Sequence, residues 1–240
     1  MWSICKKELN QFFSSLTGYI AISLFLLING IFLFLLNDSS IFENGYASMD
    51  QFFDLAPWVL LFLIPAISMR SLSDELKSGT FELLKTKPLK PLQIVTGKYV
   101  SILLIALFAI IPTFVYVITI SHFNSSTSID TGGIAGSYIG LFLLSATFAS
   151  ICLCCSGITS NSVVAFLMGG FICLVFYFGF NAVSKISIFQ GTVDYYIEML
   201  GIDFHYKSIS RGVLDTRDLM YFFSVIFLSL FITKKKLYNE

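Results

Sequence analysis

The chain has 240 residues, of which 56% are apolar and only 12% are charged, and its 15 basic and 15 acidic residues cancel to a formal net charge of zero. Soluble domains are about 25% charged, so this chain has too few polar residues to cover a water-soluble globule. The composition therefore argues against a disordered, fibrous, disulfide-rich or ordinary soluble protein. It predicts an all-α protein in which several helices cross a membrane.

The N-terminal segment 2–16 has the spacing of an amphipathic helix. Apolar residues recur every three or four positions, at Trp2, Cys5, Leu9, Phe12 and Leu16. A helix of this kind lies in the membrane interface with its apolar face towards the lipid. Two roles fit the pattern: a simple membrane anchor, or a gate or docking element.

Six apolar runs are candidates for membrane spans, for which a helix needs about 20 apolar residues. We predict spans at 16–36, 55–69, 99–121, 136–156, 163–183 and 219–233, and no ionisable Asp, Glu, Lys, Arg or His falls within these limits. The second and sixth are short, so they must tilt little, recruit flanking residues or thin the bilayer. Pro57, Pro65 and Pro112 predict kinks in spans two and three.

Basic residues predict the orientation of the chain in the membrane. Most of the 15 Lys and Arg residues fall near the two termini or in the segment 70–98 between spans two and three. Under the positive-inside rule these parts face the cytoplasm. Both termini are therefore predicted to be cytoplasmic, whereas the segment 184–218 between spans five and six is predicted to lie outside.

The outer segment 184–218 is rich in aromatic residues. Two short helices fit its sequence, near 193–200 and 204–210, and its apolar side chains favour a half-inserted hairpin that covers the outer end of the bundle. Span four opens with Gly136 and Gly140 in a G-x-x-x-G pattern, which is typical of close helix packing.

Catalytic patterns are missing from the sequence. His122 and His205 fall in predicted outside loops, where we expect them to face the wet interface and not to bind a metal. The C-x-x-C spacing from Cys152 to Cys155 lies in an apolar helix, whereas reactive thiol pairs need a polar, electropositive setting, so packing is the better interpretation. Gly97-Lys98 lacks the remainder of a phosphate loop. We expect no catalytic site, no cofactor and no bound metal, with ATP hydrolysis in a partner chain.

The segment 70–98 is the largest predicted cytoplasmic loop, and it contains a short isolated helix. Gly79 breaks the helical pattern that continues from span two, and Thr80 can start a new helix with Glu82 in its first turn. Pro88 ends this helix, which is predicted at 81–86, and Pro91 opens the helix that leads into span three. The alternative is an ordinary positively charged loop with normal helix caps.

The same segment resembles the coupling region of type-2 ABC transporter permeases. The motif reads Glu75-x-x-x-Gly79-Thr80-x-Glu82-x-Leu84-x-x-x-Pro88, followed by Ile94-Val95-x-Gly97-Lys98-Tyr99. Those permeases are six-span subunits with an interfacial N-terminal helix, a cytoplasmic coupling helix between spans two and three, and short re-entrant helices before span six. The run 209–219 before span six is most similar to the gliding-motility permeases of the GldF type.

The resemblance implies a set of partners and a location. It implies a separate ABC ATPase subunit (GldA-like), an accessory membrane subunit with a large outer domain (GldG-like) and a second permease half, expected to be an identical copy. It also implies the bilayer of a bacterial inner membrane, with no nucleic acid. The coupling positions carried over are Glu75, Gly79, Thr80, Glu82, Leu84 and Pro88.

The physical expectation for this helix is that it docks in a groove of the ATPase. Phe81 and Leu84 would be its apolar anchors, and Glu82 would orient it through a charge-assisted hydrogen bond. The function expected is that of a permease subunit driven by a separate ATPase through the segment 70–98. The alternative is a structural or assembly subunit that couples ATP turnover to an envelope machine without moving solute, and an ion channel is a third possibility that no filter-like loop supports.

Overall fold

A computed structural model describes residues 1–35, 49–86, 90–123, 130–186, 191, 193–213 and 215–239. Within these ranges the regular structure is helical and contains no β-strand. The α-helices are, in chain order, α1 (Trp2–Phe13), α2 (Leu16–Phe34), α3 (Asp50–Ser68), α4 (Ser73–Lys77), α5 (Thr80–Lys85), α6 (Pro91–Ile110), α7 (Phe114–Phe123), α8 (Thr131–Ile158), α9 (Ser162–Leu174), α10 (Phe180–Ser184), α11 (Asp194–Met199), α12 (Ile202–Ser210) and α13 (Thr216–Asn239).

Six stretches of helix are long and apolar enough to cross a membrane, as predicted. They are Leu16–Phe34, Asp50–Lys77, Pro91–Ser121, Thr131–Ile158, Ser162–Ser184 and Thr216–Tyr238. The second and sixth, predicted to be short, have 28 and 23 residues and exceed the length that about 30 Å of hydrocarbon requires. The second is longer because α3 begins at Asp50 and the stretch also includes α4, and the sixth is longer because α13 continues into charged residues at both ends.

The longer helices include ionisable residues, although none falls within the predicted span limits. Asp54 lies in the second span, Lys98 in the third and Asp218 in the sixth. Lys98 and Asp218 are buried in the protein. They lie near span ends, so these charges are placed where the helices pack against the short helices at the two ends of the bundle.

Pro112 removes a backbone donor from the helix of span three. There α6 tightens into a 3-10 turn at Ile111–Thr113 around Pro112, and the Thr113 hydroxyl donates to the Ile110 carbonyl at 2.6 Å. In span two, Pro57 and Pro65 both remain inside α3. Span five has an irregularity that the sequence did not predict, a π-helical turn at Val175–Gly179 between α9 and α10.

Span four, formed by α8, is the centre of the bundle. Its most apolar stretch is 83% buried, whereas the corresponding figure for the other five spans lies between 22% and 56%. Small residues along α8 allow neighbouring helices to approach closely. Cys152 faces span five, with its sulfur 3.6 Å from that of Cys173, and all five cysteines are free. Cys152 is therefore a packing residue of this interface, and Cys155 is buried.

The two short helices α11 and α12 lie at one end of the bundle, close to the predicted limits. Gly136 and Gly140 of α8 face α12: a Cβ at Gly136 would lie 2.8 Å from the Gly212 Cα, and one at Gly140 would lie 3.2 Å from the Ile209 side chain. The G-x-x-x-G pattern thus marks close packing, against α12 and not against another span. The Tyr206 hydroxyl donates to the Phe53 carbonyl at 2.7 Å and ties α12 to span two.

His205 is buried in α12, which corrects its predicted place at the wet interface. Its two ring nitrogens lie 2.6 Å from Asp218 Oδ1 and 2.9 Å from the Met199 carbonyl oxygen, and its ring stacks on that of Tyr221 at 4.0 Å. The sequence could not show this burial, because it depends on α12 folding back onto the start of span six. The side chain of His122 lies outside the described residues.

The opposite end of the bundle, here called the base, carries α1, α4, α5 and the last turns of α13. Helix α1 ends at Phe13, before the predicted limit, because Ser15 caps α2 by accepting from the Gly18 N–H. Ile4 packs on Gly97 at the start of span three, and Phe13 packs on Phe108 further along it. Helix α1 therefore lies against span three, and its position in the membrane interface stays a prediction.

Candidate coupling site at the base

Helices α4 and α5 form an elbow, here called the α4–α5 elbow (residues 73–85), that hangs from the end of span two. Gly79 joins the two helices with φ of +69°, a left-handed conformation that glycine adopts without steric cost. Its amide donates to the Leu76 carbonyl and its carbonyl accepts from the Glu82 N–H. The break predicted at Gly79 is present, with a five-residue helix on one side and a six-residue helix on the other.

Ser156, at the end of span four, fixes the start of the elbow. Its hydroxyl oxygen accepts hydrogen bonds from the backbone N–H groups of Leu72 and Ser73, both at 3.1 Å, and donates to the Met69 carbonyl at 3.1 Å. The first N–H groups of a helix have no partner within the helix. A side chain from another span supplies that partner here, so Ser156 links the start of α4 to span four.

Lys98 ties the elbow to α1 and span three. Its ammonium group is fully buried and lies 2.8 Å from Glu8 of α1, 2.9 Å from Glu75 of α4 and 2.6 Å from the Ser71 carbonyl oxygen. Lys7 adds a second cation, which donates to the other oxygen of Glu75 at 3.0 Å. This Lys98 cluster (Lys7, Glu8, Glu75 and Lys98) therefore joins three elements of the base through charge.

The cluster is balanced in charge, with two lysines facing two glutamates. Burial lowers the pKa of Lys7, but the hydrogen bond and the charge of Glu75 more than offset this effect and raise the pKa above its ordinary value. Nearby, burial and the charge of Glu8 raise the pKa of the Cys5 thiol, so Cys5 stays protonated and unreactive at neutral pH. The base thus contains an ion cluster whose charges cancel. The nearby Cys5 thiol is not a reactive nucleophile.

Phe81 lies inside the protein, which corrects its predicted exposure as a docking anchor. Only 2% of Phe81 is exposed. Its ring packs against Tyr238 of α13, and the Lys85 ammonium lies 5.3 Å and 5.7 Å from the two ring centroids. The local helical pattern could not reveal this contact, because Tyr238 comes from the far end of the chain.

The free face of α5 carries a different apolar residue, Leu83, which is 65% exposed. Thr80, Glu82 and Thr86 are exposed around it, and Glu82 forms an exposed ion pair with Lys85 at 3.2 Å. An exposed pair of this kind contributes about 0–1 kcal/mol, so Glu82 is available to another partner. This set (Thr80, Glu82, Leu83 and Thr86) is here called the α5 face.

The predicted coupling residues are thus divided between two environments. Glu75 belongs to the Lys98 cluster, Gly79 forms the joint, and Leu84 is half-buried behind the α5 face. Pro88 lies outside the described residues. Sequence reasoning missed Ser156, Leu83 and the role of Lys98, although Lys98 stands in the second half of the motif that carried the resemblance.

Comparison with protein families agrees with this architecture. The chain matches the family described as ABC-2 family transporter protein over residues 2–226, a range that contains α1, the α4–α5 elbow and the start of the sixth span. No curated protein gives a significant match. Six candidate spans make the chain a multi-pass membrane protein. The chain belongs to the ABC-2 transporter family, whose members are the membrane components of ABC transporters and work with an ABC ATPase.

Proposed function

We propose that this chain is the permease subunit of an ATP-driven transporter and that a separate ABC ATPase moves it through the α4–α5 elbow. The observation that carries this proposal is that the two sides of the elbow differ. Its inner side contacts several parts of the bundle, and its outer side, the α5 face, is exposed.

The attachments of the elbow make it a suitable point for force to enter. Ser156 links it to span four, Lys98 links it to span three and α1, and Phe81 links it to the end of span six. Packed helices and ion clusters transmit displacement because they are rigid on the scale of the motion. A displacement of α5 would therefore be transmitted to spans three, four and six together, whereas a flexible loop would absorb it.

The α5 face has the chemistry of a docking surface for another protein. Leu83 offers an apolar anchor that a groove can bury, and Glu82 beside it offers a carboxylate for a charge-assisted hydrogen bond. The sequence contains no phosphate loop of its own, so the energy source must be another chain. The base would face the cytoplasm, where the ATPase resides, as the distribution of basic residues predicts.

The finer assignment rests on the motif at 209–219 and on the elbow. We propose the transporter associated with gliding motility in a bacterial inner membrane as the host complex, with a GldA-like ATPase, a GldG-like membrane subunit and a second copy of this chain as partners. The end of the bundle with α11 and α12 would then face away from the cytoplasm, towards the subunit with the large outer domain.

Purification of the chain from its native membrane in a mild detergent tests the proposal. Mass spectrometry of the co-purified chains should identify an ABC ATPase, and Leu83→Glu should reduce its yield at least tenfold at equal membrane levels of the permease. Leu200→Glu is the matched control, because Leu200 is a similarly exposed leucine at the opposite end of the bundle. Retention of the ATPase by Leu83→Glu, or loss of it with both variants, would reject docking through the α5 face.

A further inference from the structure

A pocket of about 240 Å³ opens at the base between α1, α2, the end of α3 and α6. Its lining includes the polar side chains of Gln11, Arg70 and Ser71 and the apolar side chains of Ala21, Ala66 and Ile105. The pocket is smaller than the about 300–1,000 Å³ of typical small-molecule sites. It therefore has room for one end of an amphiphilic molecule, with the remainder outside.

The charge of the lining favours an anion. Glu8 and Arg70 are its charged side chains, and the Glu8 carboxylate is already compensated by Lys98 at 2.8 Å. Arg70 is exposed and has no ion pair within the part of the chain that the structure describes. Asp74 lies in an adjoining depression that Arg70 and Ser71 also line, but no ion pair joins it to Arg70 among the described residues. The uncompensated charge of the pocket is therefore the positive charge of Arg70.

Ser71 supplies a second and independent indication of a ligand. It is 7% exposed, and its hydroxyl group has no hydrogen-bond partner among the described residues. A buried hydroxyl without a partner is energetically unfavourable, so native proteins keep few of them. Ser71 is one of the residues that line the pocket beside Arg70, so an acceptor bound there that reaches this hydroxyl would satisfy it.

We propose that this pocket binds the phosphate group of an anionic membrane phospholipid. Arg70 and the Ser71 hydroxyl donate to the phosphate, and the Gln11 amide lies at the rim as a further donor. The first part of an acyl chain lies along Ala21, Ala66 and Ile105. Basic pockets between membrane helices bind lipid headgroups through this combination of charge and apolar surface, and a soluble phosphate would leave the apolar part unused.

Thermal unfolding of the delipidated full-length chain in an uncharged detergent tests the lipid site, independently of any ATPase. A ligand that binds only the folded state raises the unfolding temperature according to its concentration and affinity. Phosphatidylglycerol should raise it, whereas diacylglycerol and inorganic phosphate at the same concentration should not. Arg70→Gln should weaken the apparent affinity for phosphatidylglycerol about tenfold, as expected when one charge-assisted hydrogen bond is lost.

Two further variants make the result specific. Lys6→Gln removes an exposed positive charge of α1 outside the pocket and should bind the lipid like the wild-type chain. Ser71→Ala should raise the unfolding temperature without lipid and lower the affinity for lipid, a combination that a purely structural serine would not show. Equal affinity of Arg70→Gln and wild type, an equal loss with Lys6→Gln, or an equal shift with inorganic phosphate would each overturn the proposal.

Discussion

Phe81 of α5 packs edge-on against Tyr238 of α13, with ring centroids 6.2 Å apart and ring planes at 74°. This contact joins the α4–α5 elbow to the end of the last span. Phe81, which the sequence predicted as a docking anchor, is buried and holds the elbow in place. Leu83 is exposed on the other side of α5, so attachment and docking are separate roles of two residues.

The first prediction follows from that separation. Phe81→Ala should lower the free energy of unfolding by about 3 kcal/mol, since Phe→Ala substitutions in well-packed sites cost about 3–5 kcal/mol. Leu83→Ala should change it by no more than about 0.5 kcal/mol, as is usual for exposed positions. Both values can be measured by reversible unfolding in mixed detergent micelles. A stable Phe81→Ala variant that nevertheless loses the ATPase would restore Phe81 as a docking residue.

The second prediction concerns the buried lysine. Lys98→Met leaves Glu8 without its cation and leaves Glu75 with Lys7 alone, and removing one partner of a buried ion pair costs about 3–5 kcal/mol. Adding Glu8→Gln and Glu75→Gln to Lys98→Met should recover much of that loss, because the buried carboxylates lose their charge and Lys7, whose side chain is 58% exposed, stays solvated. The same unfolding measurement gives the coupling energy as a mutant cycle. Additive effects of the three substitutions would show that the cluster does not act as a unit.

The third prediction concerns the start of the elbow. Ser156→Ala removes the acceptor of two buried N–H groups, at Leu72 and Ser73, and an unsatisfied buried donor costs about 1–3 kcal/mol. We expect faster amide hydrogen exchange in α4 while α8 stays protected. Ser150→Ala is the control, since the Ser150 hydroxyl is buried but donates only within its own helix, to the Thr147 carbonyl at 2.8 Å. Equal exchange in both variants would contradict the role of Ser156.

The sequence predicted features that depend on neighbouring residues. The six spans follow from local hydropathy, and the break at Gly79 follows from the conformational freedom of one residue. It did not predict which faces of the short helices are buried, because those contacts are distant in sequence. Glu8 lies 90 residues from Lys98, and Ser156 lies 84 residues from Leu72. The same limit explains why His205 was predicted in the wrong environment.

The fourth prediction tests the proposed orientation of the bundle. In a cysteine-free background, Ser78→Cys at the base and Tyr196→Cys on α11 should react with membrane-impermeant thiol reagents from opposite sides, Tyr196→Cys from outside. Both positions are exposed, so accessibility does not limit either reaction. Labelling of Ser78→Cys in intact cells whose outer membrane has been permeabilised would reverse the orientation, and with it the place of the ATPase.

The last prediction concerns the close packing of α8 against α12. In Gly136→Ala the new methyl group would lie 2.8 Å from the Gly212 Cα and 3.0 Å from the Ile209 carbonyl oxygen. Both are backbone atoms, so no side-chain rotation can relieve the contact, and Gly212 has φ of +82°, a conformation that fixes the turn after α12. Alanine gains about 1 kcal/mol over glycine in a helix, but overpacking costs about 1–3 kcal/mol.

The clash should therefore outweigh the gain in helix propensity, and Gly136→Ala should destabilise the protein and loosen α12. Gly170→Ala in span five is the matched control, because its methyl group would meet no atom closer than 3.9 Å, the distance to the Pro65 side chain. It should be neutral or stabilising. Unfolding measurements on the two variants, with hydrogen exchange of α12 as the local reporter, decide the matter: if Gly136→Ala matches Gly170→Ala in both, α12 is not held against span four by the contact at Gly136.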